Sequence, residues 1–211
     1  MFFGSGRIMQ SQRTKVGSHY RVYAVMSGLN VAPQNIANWV MYSDDFGQNW
    51  HILGDPMTPA IPYNADEPKC EELPDGSIVV SSRRGNGRWF NVFRFTDSAK
   101  GEGYWDTMAH GTLVKASANA CNGEILIVPV VKKATGKKMY LALQSVPFGP
   151  AGRTNVGINY KELAGYEDFG SSALFAKDWD GAHMSSYIGS AYSTMAWQKD
   201  NKLAFMYEEE T

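Results

Sequence analysis

The stretch SDDFGQNW, residues 43–50, decides the fold because it places two adjacent acids, a glycine and a tryptophan between two apolar runs. The acids could be paired catalytic carboxylates, or polar side chains that shape a turn. The short side chains of Ser43 and Asp45 can hydrogen-bond free backbone groups, and Gly47 can adopt a positive φ. Trp50 would then pack into the sheet that the turn closes. The spacing therefore predicts a hairpin turn rather than a catalytic site.

The composition describes a globular chain and argues against several functions. The 211 residues are 44% hydrophobic, enough to bury a core, and the formal net charge of -1 does not indicate binding to nucleic acid or to an anionic membrane. No run of about 18 apolar residues predicts a membrane span, and the amino-terminal stretch lacks the features of a signal peptide. Cys70, Cys121 and the four histidines show no metal-ligand spacing, so no metal site is predicted.

Short runs of β-branched and aromatic residues, separated by turn residues, predict an all-β fold. The runs are RIMQSQ, HYRVYAVMSG, NWVMYS, GSIVVSSR, WFNVFRF, GEILIVPVV, KKMYLALQSV, TNVGINY and KLAFMYE. Turn residues at 74–76, 122–123, 134–137 and 199–201 lie where hairpins are expected to close. A polar turn followed by a strand recurs in ELPDGSIVVSS, ANACNGEILIVPV and AWQKDNKLAFMY, at intervals of roughly 40 to 75 residues, which favours the blades of a β-propeller.

The SDDFGQNW stretch also fits the pattern Ser-x-Asp-x-Gly-x-x-Trp, with Ser43, Asp45, Gly47 and Trp50 in place. It thus resembles the Asp-box, a repeat found in sialidases and in related propellers, and FTDSAKGEGYW at 95–105 resembles a degenerate second copy. The Asp-box implies a propeller but not an enzyme, because non-catalytic propellers carry it too. Any catalytic residues must lie elsewhere in the chain.

Three further segments resemble motifs of the bacterial sialidases, in the order in which that family carries them. In ADEPKCEELPDGSIVVSSRRGNGR, Glu67 precedes Arg83 by the spacing of the family's acid and arginine. GPAGRTNVGINY places Arg153 at the position of another family arginine. SAYSTMAWQKDNKLAFMYEE places Tyr192 at the family's tyrosine and Glu208 at its closing acid. The resemblance implies a six-bladed β-propeller of sialidase type, here an incomplete propeller of about four blades.

By this resemblance the chain would belong to an exo-α-sialidase, which removes terminal sialic acids from glycans with retention of configuration. Arg83 and Arg153 would bind the substrate carboxylate, since guanidinium groups bind carboxylates through charged forks. Tyr192 would be the nucleophile, because a neutral phenol is not repelled by that carboxylate, and sialidases depart from the two-carboxylate rule of glycosidases. Glu67 would act as general base, and Glu208 would orient a binding arginine. No cofactor is implied.

The resemblance also predicts that the chain is incomplete. The arginine motif and the general-acid aspartate that begin the family's catalytic domain are not found, and the sequence stops before the strand that closes the last blade. We therefore expect residues 1–211 to form a single partial domain, truncated at both ends. Its activity should be weak or absent, because one positioned proton donor contributes about 10²- to 10⁴-fold. Open blade edges would favour self-association.

Several alternatives stay open in the sequence. The segment 161–185 stands in place of a clean Asp-box, and the loosely helical spacing of its apolar residues predicts a short helical excursion. This excursion would be a lid, or a surface loop packed on its own aromatic side chains. A non-catalytic propeller that binds carbohydrate or protein would keep the Asp-box without the other site residues. A trans-sialidase, or a glycosidase that acts on a related ulosonic acid, is a further alternative, and the linkage preference is not predicted. By resemblance, the whole protein would be secreted, periplasmic or attached to the bacterial cell surface.

Overall fold

The computed structural model describes residues 2–4, 7–30, 35–85, 87–119, 121–150 and 152–210. Within these ranges nearly all of the regular secondary structure is β-strand, and the strands form four sheets. The chain divides into two compact units, one of residues 1–82 and 89–109 and the other of residues 83–88 and 110–211. The prediction of an all-β fold is confirmed, whereas the single partial domain stays a prediction.

The first unit holds one complete sheet and most of a second. The strands of the first sheet are β1 (Phe2–Phe3), β2 (Met9–Val16), β3 (His19–Asn30), β4 (Asn35–Ser43) and β5 (His51–Ile52). The central strand β3 pairs antiparallel with β1, β2 and β4, and β5 continues the sheet beyond β4. The strands of the second sheet are β6 (Asp66–Glu72), β7 (Ile78–Arg83), β8 (Arg88–Asp97), β9 (Glu102–Trp105) and β10 (Ala109–His110). Their order is β10, β8, β7, β6, with β9 also paired to β8.

The core of the first unit follows the two-residue period of its strands. Tyr23 and Val25 of β3 point to the same face as Val40 of β4, and these side chains pack with Val80 and Phe93 from the second sheet. All five are buried. Because these strands are rich in β-branched and aromatic residues, the sequence predicts them.

The strand β6 is buried, although its sequence, DEPKCEE, is mostly polar. Glu72 accepts hydrogen bonds from the Ser11 hydroxyl at 2.5 Å and from the Gln12 N–H at 2.8 Å. Glu71 forms an ion pair with Arg7. Since these contacts offset the hydration that the carboxylates lose, the strand needs no hydrophobic alternation, and the sequence does not predict it.

The second unit holds the remaining two sheets. The strands of the third sheet are β11 (Ile125–Val131), β12 (Lys138–Pro147), β13 (Val156–Leu163) and β14 (Gly181–Met184), which pair antiparallel in this order. The fourth sheet consists of β15 (Ser190–Trp197) and β16 (Leu203–Glu209), also antiparallel. The core cluster shared by these strands is Leu126, Val128, Leu143, Ile158 and Met195.

Three of the four predicted turns close hairpins, and one prediction is wrong. The closing backbone hydrogen bonds are Leu73 N–H to Ser77 O, Lys132 N–H to Lys137 O and Gln198 N–H to Lys202 O. Residues 122–123 instead lie buried in an irregular stretch before β11. A Cβ on Gly123 would lie 1.8 Å from the Ser145 carbonyl oxygen, so the glycine permits close backbone approach and not a turn.

The segment 161–185 contains the predicted helical excursion, although its first three residues still belong to β13. A 3₁₀ helix (Tyr166–Asp168) and the short helix α1 (Ser172–Ala176) follow. Two ring pairs, Tyr166 with Phe169 and Phe175 with Trp179, pack edge to face at centroid distances of 5.7 and 6.0 Å. These contacts favour the surface loop packed on its own aromatic side chains. In the ranges that the structure describes, no helix has the length and apolar character needed to cross a membrane.

Candidate functional site

The SDDFGQNW stretch forms a turn between β4 and β5. The Ser43 hydroxyl accepts hydrogen bonds from the N–H groups of Asp45 and Gly47, at 3.3 and 2.8 Å, and donates one to the Asp45 carboxylate at 2.7 Å. Asp45 also accepts from the backbone and side-chain amides of Asn49, at 2.9 and 2.7 Å. Gly47 has a φ of +83°, and its carbonyl oxygen accepts from the Trp50 indole at 3.0 Å. The side chains of Ser43, Asp45 and Asn49 thus contact one another and the backbone of the turn itself.

Arg83 and Tyr192 meet within the second unit. Arg83 is the last residue of β7, and Tyr192 lies on β15. One terminal nitrogen of the Arg83 guanidinium donates a hydrogen bond to the Tyr192 hydroxyl oxygen at 3.1 Å. Both residues are half-buried. A cation that donates to a phenolic oxygen stabilises the negative charge that develops there when the phenol loses its proton.

Arg153 approaches the same phenol from the turn before β13. Its guanidinium carbon lies 5.3 Å from the centroid of the Tyr192 ring, a distance typical of a cation–π contact. Arg153 is exposed, and its carbonyl oxygen accepts a hydrogen bond from the Ser190 N–H at 2.9 Å. Ser190 precedes Tyr192 by two positions, so this backbone contact fixes the arginine beside the tyrosine. The structure thus brings Arg83, Arg153 and Tyr192 into one cluster, here called the arginine–tyrosine cluster.

The strand that carries Tyr192 is irregular at that point. The register of β15 against β16 shifts between Ser190 and Ser193, and such bulges redirect side chains near functional sites. The Tyr192 N–H donates a hydrogen bond of 3.3 Å to a carboxylate oxygen of Glu208, an exposed residue of β16. Glu208 therefore supports the backbone of the tyrosine. Its contact with a binding arginine stays a prediction.

The arginine–tyrosine cluster is suited to an anionic ligand. A guanidinium group is always protonated and presents several N–H donors in a plane, so it binds a carboxylate with two parallel hydrogen bonds. Arg83 and Arg153 present two such groups to a single phenol. A carboxylate bound by the arginines would lie near the Tyr192 oxygen without electrostatic repulsion, because the phenol is neutral.

Glu67 belongs to the first unit, at the start of β6. Its φ is +32°, in a region that non-glycine residues rarely adopt, and its N–H donates to the Asp66 carboxylate at 2.9 Å. Residues held in such conformations cost on the order of 1–3 kcal/mol and cluster at functional sites. Glu67 is half-buried. Since Glu67 and Tyr192 fall in different units, proton transfer between them stays a prediction.

The sequence did not predict a role for Glu124, a buried acid that contacts the strand of Tyr192. Glu124, the residue before β11, is 1% exposed, and its carboxylate accepts hydrogen bonds from the Thr194 hydroxyl at 3.1 Å and the Ile125 N–H at 3.2 Å. Thr194 lies two positions after Tyr192, so Glu124 holds the strand that presents the phenol. The only sequence signal is an acid directly before an apolar run, which is also the pattern of a solvated strand end.

The described ranges contain no group of three or more His, Cys, Asp or Glu side chains that could hold a metal ion. Cys70 and Cys121 are both buried thiols. Buried thiols of this kind commonly pack as small apolar side chains.

Several solved structures are similar to this chain. A mutant of the NanB sialidase from Streptococcus pneumoniae superposes with a TM-score of 0.68 and 19% identity, over 99% of this chain and 28% of that protein. The Trypanosoma rangeli sialidase gives a TM-score of 0.61 and 20% identity, over 93% of this chain and 28% of that protein. The intramolecular trans-sialidase from Ruminococcus gnavus gives a TM-score of 0.58 and 21% identity, over 93% of this chain and 38% of that protein.

These similarities establish the fold. No protein-family model matches the chain, and no curated protein sequence does. The chain spans between 28% and 38% of the length of the three proteins above. Its fold is that of a fragment of a sialidase β-propeller, which confirms the predicted fold class.

Proposed function

We propose that this chain supplies the nucleophile and two substrate-binding arginines of an exo-α-sialidase, which hydrolyses terminal sialic acids of glycoconjugates. The observation that carries the proposal is the hydrogen bond from Arg83 to the Tyr192 hydroxyl, with Arg153 beside the same ring. The sialidase fold and the sialidase names of the similar proteins support it. The whole protein would act on external glycans, as a secreted, periplasmic or surface-attached enzyme.

Substrate binding follows from the chemistry of sialic acid, which carries a carboxylate on its anomeric carbon. Arg83 and Arg153 bind this carboxylate through their guanidinium forks. The anomeric carbon is thereby held beside the Tyr192 oxygen. Holding the reacting atoms in this way lowers the entropic part of the barrier.

In the first chemical step, the Tyr192 oxygen attacks the anomeric carbon, and the bond from that carbon to the leaving oxygen breaks. Glu67 takes the phenolic proton, and the leaving oxygen keeps the bonding electron pair and takes up a proton from water. Arg83 stabilises the negative charge that develops on the phenol oxygen. In the second step a water molecule attacks the anomeric carbon, releases a proton to solvent and displaces Tyr192, to which Glu67 returns its proton. Each step inverts the configuration at the anomeric carbon, so the two steps together retain it.

A 2,3-difluorinated sialosyl fluoride tests the proposal without requiring rapid turnover. Fluorine next to the anomeric carbon slows breakdown of the covalent intermediate, so the sugar should accumulate on Tyr192 and be found by mass spectrometry of its peptide. Tyr192→Phe should abolish the label, whereas the control Tyr160→Phe, on an exposed tyrosine of β13, should keep it. A label on another residue, or an equal label in Tyr192→Phe, would contradict the assigned nucleophile.

The same experiment separates the competing functions. Sialic acid that binds with a dependence on Arg83 and Arg153, but gives neither label nor hydrolysis, would assign the chain to a non-catalytic carbohydrate-binding propeller. Because one of the similar structures is an intramolecular trans-sialidase, the released product should also be identified. Free sialic acid indicates hydrolysis, and an anhydro or transferred sugar indicates transfer.

A further inference from the structure

The segment of residues 185–190, here called the rim segment, runs beside Arg153. The Asn155 N–H donates to the Ile188 carbonyl oxygen at 2.9 Å, and the Ser190 N–H donates to the Arg153 carbonyl oxygen at 2.9 Å. Between these bonds, Thr154 and Gly189 form an antiparallel bridge. The rim segment therefore lies directly against the backbone that carries Arg153, and it leads into the strand that carries Tyr192.

Hydrogen bonds fix the rim segment from within and from both sides. The Ser186 hydroxyl accepts from the Ile188 N–H at 3.3 Å. The Ser190 hydroxyl donates to the Ile188 carbonyl oxygen at 3.2 Å and accepts from the Val156 N–H at 2.9 Å. On the other side, the Tyr207 hydroxyl donates to the Ser185 carbonyl oxygen at 3.3 Å. A segment held by this many contacts presents its side chains with little loss of freedom on binding.

The rim segment exposes an aromatic and an aliphatic side chain. Tyr187 is 76% exposed and Ile188 is 50% exposed, whereas Ser186 and Ser190 beside them are 2% and 4% exposed. The polar residues thus anchor the backbone, and the apolar ones face solvent. Exposed apolar side chains on an anchored backbone are suited to ligand binding, because they can bury apolar area on binding with little loss of backbone freedom.

We propose that Tyr187 and Ile188 form a binding subsite for the sugar ring to which the sialic acid is linked. The inference rests on the proposed function, since a sialic acid held by the arginine–tyrosine cluster must extend its remaining glycan past the edge of that cluster. A pyranose ring has a face of C–H groups that packs on an aromatic ring, and hydroxyl groups that hydrogen-bond to a phenol. Tyr187 offers both an apolar body and a polar tip. An acyl chain would gain nothing from the phenolic hydroxyl, so a sugar is the better match.

Saturation-transfer NMR with 2,3-linked sialyllactose tests the subsite, with Tyr192→Phe as the background protein so that the ligand is not consumed. In that background, the protons of both the sialic acid and the adjacent galactose should receive saturation. Adding Tyr187→Ala should remove the galactose signal, keep the sialic acid signal and weaken binding about 3- to 10-fold, the effect of losing one aromatic contact. Tyr187→Phe should keep the stacking contact. Tyr104→Ala, on a 60% exposed tyrosine of β9, serves as the matched control.

The outcomes test the Tyr187–Ile188 subsite separately from the proposed sialidase function. Equal galactose saturation with and without Tyr187→Ala would overturn the subsite, provided that both proteins melt at the same temperature. Saturation confined to sialic acid in the background protein would overturn the subsite and leave the proposed function standing. Saturation of neither ring would overturn both. Retention of the galactose signal in Tyr187→Phe, with its loss in Tyr187→Ala, would establish the stacking contact even if the alanine variant were less stable.

Discussion

The Arg83 guanidinium donates a 3.1 Å hydrogen bond to the hydroxyl oxygen of Tyr192. Because that oxygen accepts from the arginine, its own proton is directed to another acceptor. A general base must therefore approach from a different side of the phenol than Arg83 does. The same contact stabilises the charge that develops as the proton leaves, so one arginine serves both binding and activation in the proposed mechanism.

Replacing Arg83 with lysine should slow covalent labelling of Tyr192 by about 10²-fold, the effect of removing one donor at a developing charge. Lysine keeps the positive charge but loses the planar fork, so it cannot serve the carboxylate and the phenol together. The rate of label incorporation by mass spectrometry measures the effect. Arg84→Lys, at the next position, is the control. An unchanged rate in Arg83→Lys would show that the hydrogen bond to Tyr192 has no part in activation.

The fully buried Arg21 connects two turns of the first unit. Its guanidinium pairs with both carboxylate oxygens of Asp44, at 2.7 and 2.9 Å. It also donates to the carbonyl oxygen of Ser98 at 2.7 Å and to that of Ala99 at 2.9 Å. Arg21→Met would leave these acceptors without their donor. We expect the free energy of unfolding, measured in urea, to fall by about 3–5 kcal/mol.

The control for Arg21 is Lys100→Met, which removes an exposed ion pair with Asp97. Exposed pairs of this kind contribute little, so its loss of stability should be far smaller. Equal losses in the two variants would mean that the buried contacts of Arg21 do not stabilise the unit beyond what a surface charge does.

The strands and turns that could be predicted are those whose signal is local. β3 and β4 are rich in β-branched and aromatic residues, and Ser43, Asp45 and Gly47 lie close enough in sequence to close the turn between β4 and β5. The strand β6 could not be predicted in this way. Its carboxylates are buried because partners from β2 and from Arg7 hydrogen-bond to them, and those partners lie about 60 residues earlier in the chain.

The candidate site was predictable only in part, for a related reason. Arg83 and Tyr192 are far apart in sequence, and each alone is an ordinary strand residue; the resemblance to sialidases, not periodicity, singled them out. Tyr187 and Glu124 carried no such signal. Their significance comes from exposure and burial that only the folded chain defines.

Asp45 should make folding sensitive to acid. Hydrogen bonds from the backbone and side-chain amides of Asn49, and then from the Ser43 hydroxyl, lower the pKa of Asp45 from its ordinary value of 3.8 to about 2. Since the folded state binds this proton more weakly than the unfolded state, the contribution to stability is fully present well above pH 3.8 and is lost as the pH falls through about 2. Melting temperatures across this range should therefore fall more steeply in the wild type than in Asp45→Asn.

The control for Asp45 is Asp200→Asn, which changes an exposed acid in another turn and should leave the steepness of the acid transition unchanged. Near neutral pH, Asp45→Asn should be less stable than the wild type, because the amide replaces a charged acceptor. Parallel melting curves for wild type and Asp45→Asn at all pH values would contradict the role given to this carboxylate.

The buried Lys161 holds the helical excursion in place. Its ammonium group donates to the carbonyl oxygens of Leu174 at 2.5 Å, Lys177 at 2.6 Å and Phe175 at 3.3 Å, at the carboxyl end of α1. Burial lowers the pKa of Lys161, because the charged form loses hydration. The three carbonyl groups replace part of that hydration, and they would lose their donor if the lysine were removed.

Lys161→Met should therefore release α1 without unfolding the surrounding sheet. We expect the free energy of unfolding to fall by roughly 1.5–3 kcal/mol, the contribution of hydrogen bonds to a charged group, and the amide of Phe175 to exchange its hydrogen faster. Lys177→Met is the control, because the Lys177 ammonium forms an exposed pair with Asp178 at 3.4 Å. If the aromatic pairs held the excursion without a contribution from Lys161, Phe175 would stay protected in Lys161→Met and lose protection only in Trp179→Ala. Hydrogen exchange followed at single residues distinguishes the two cases.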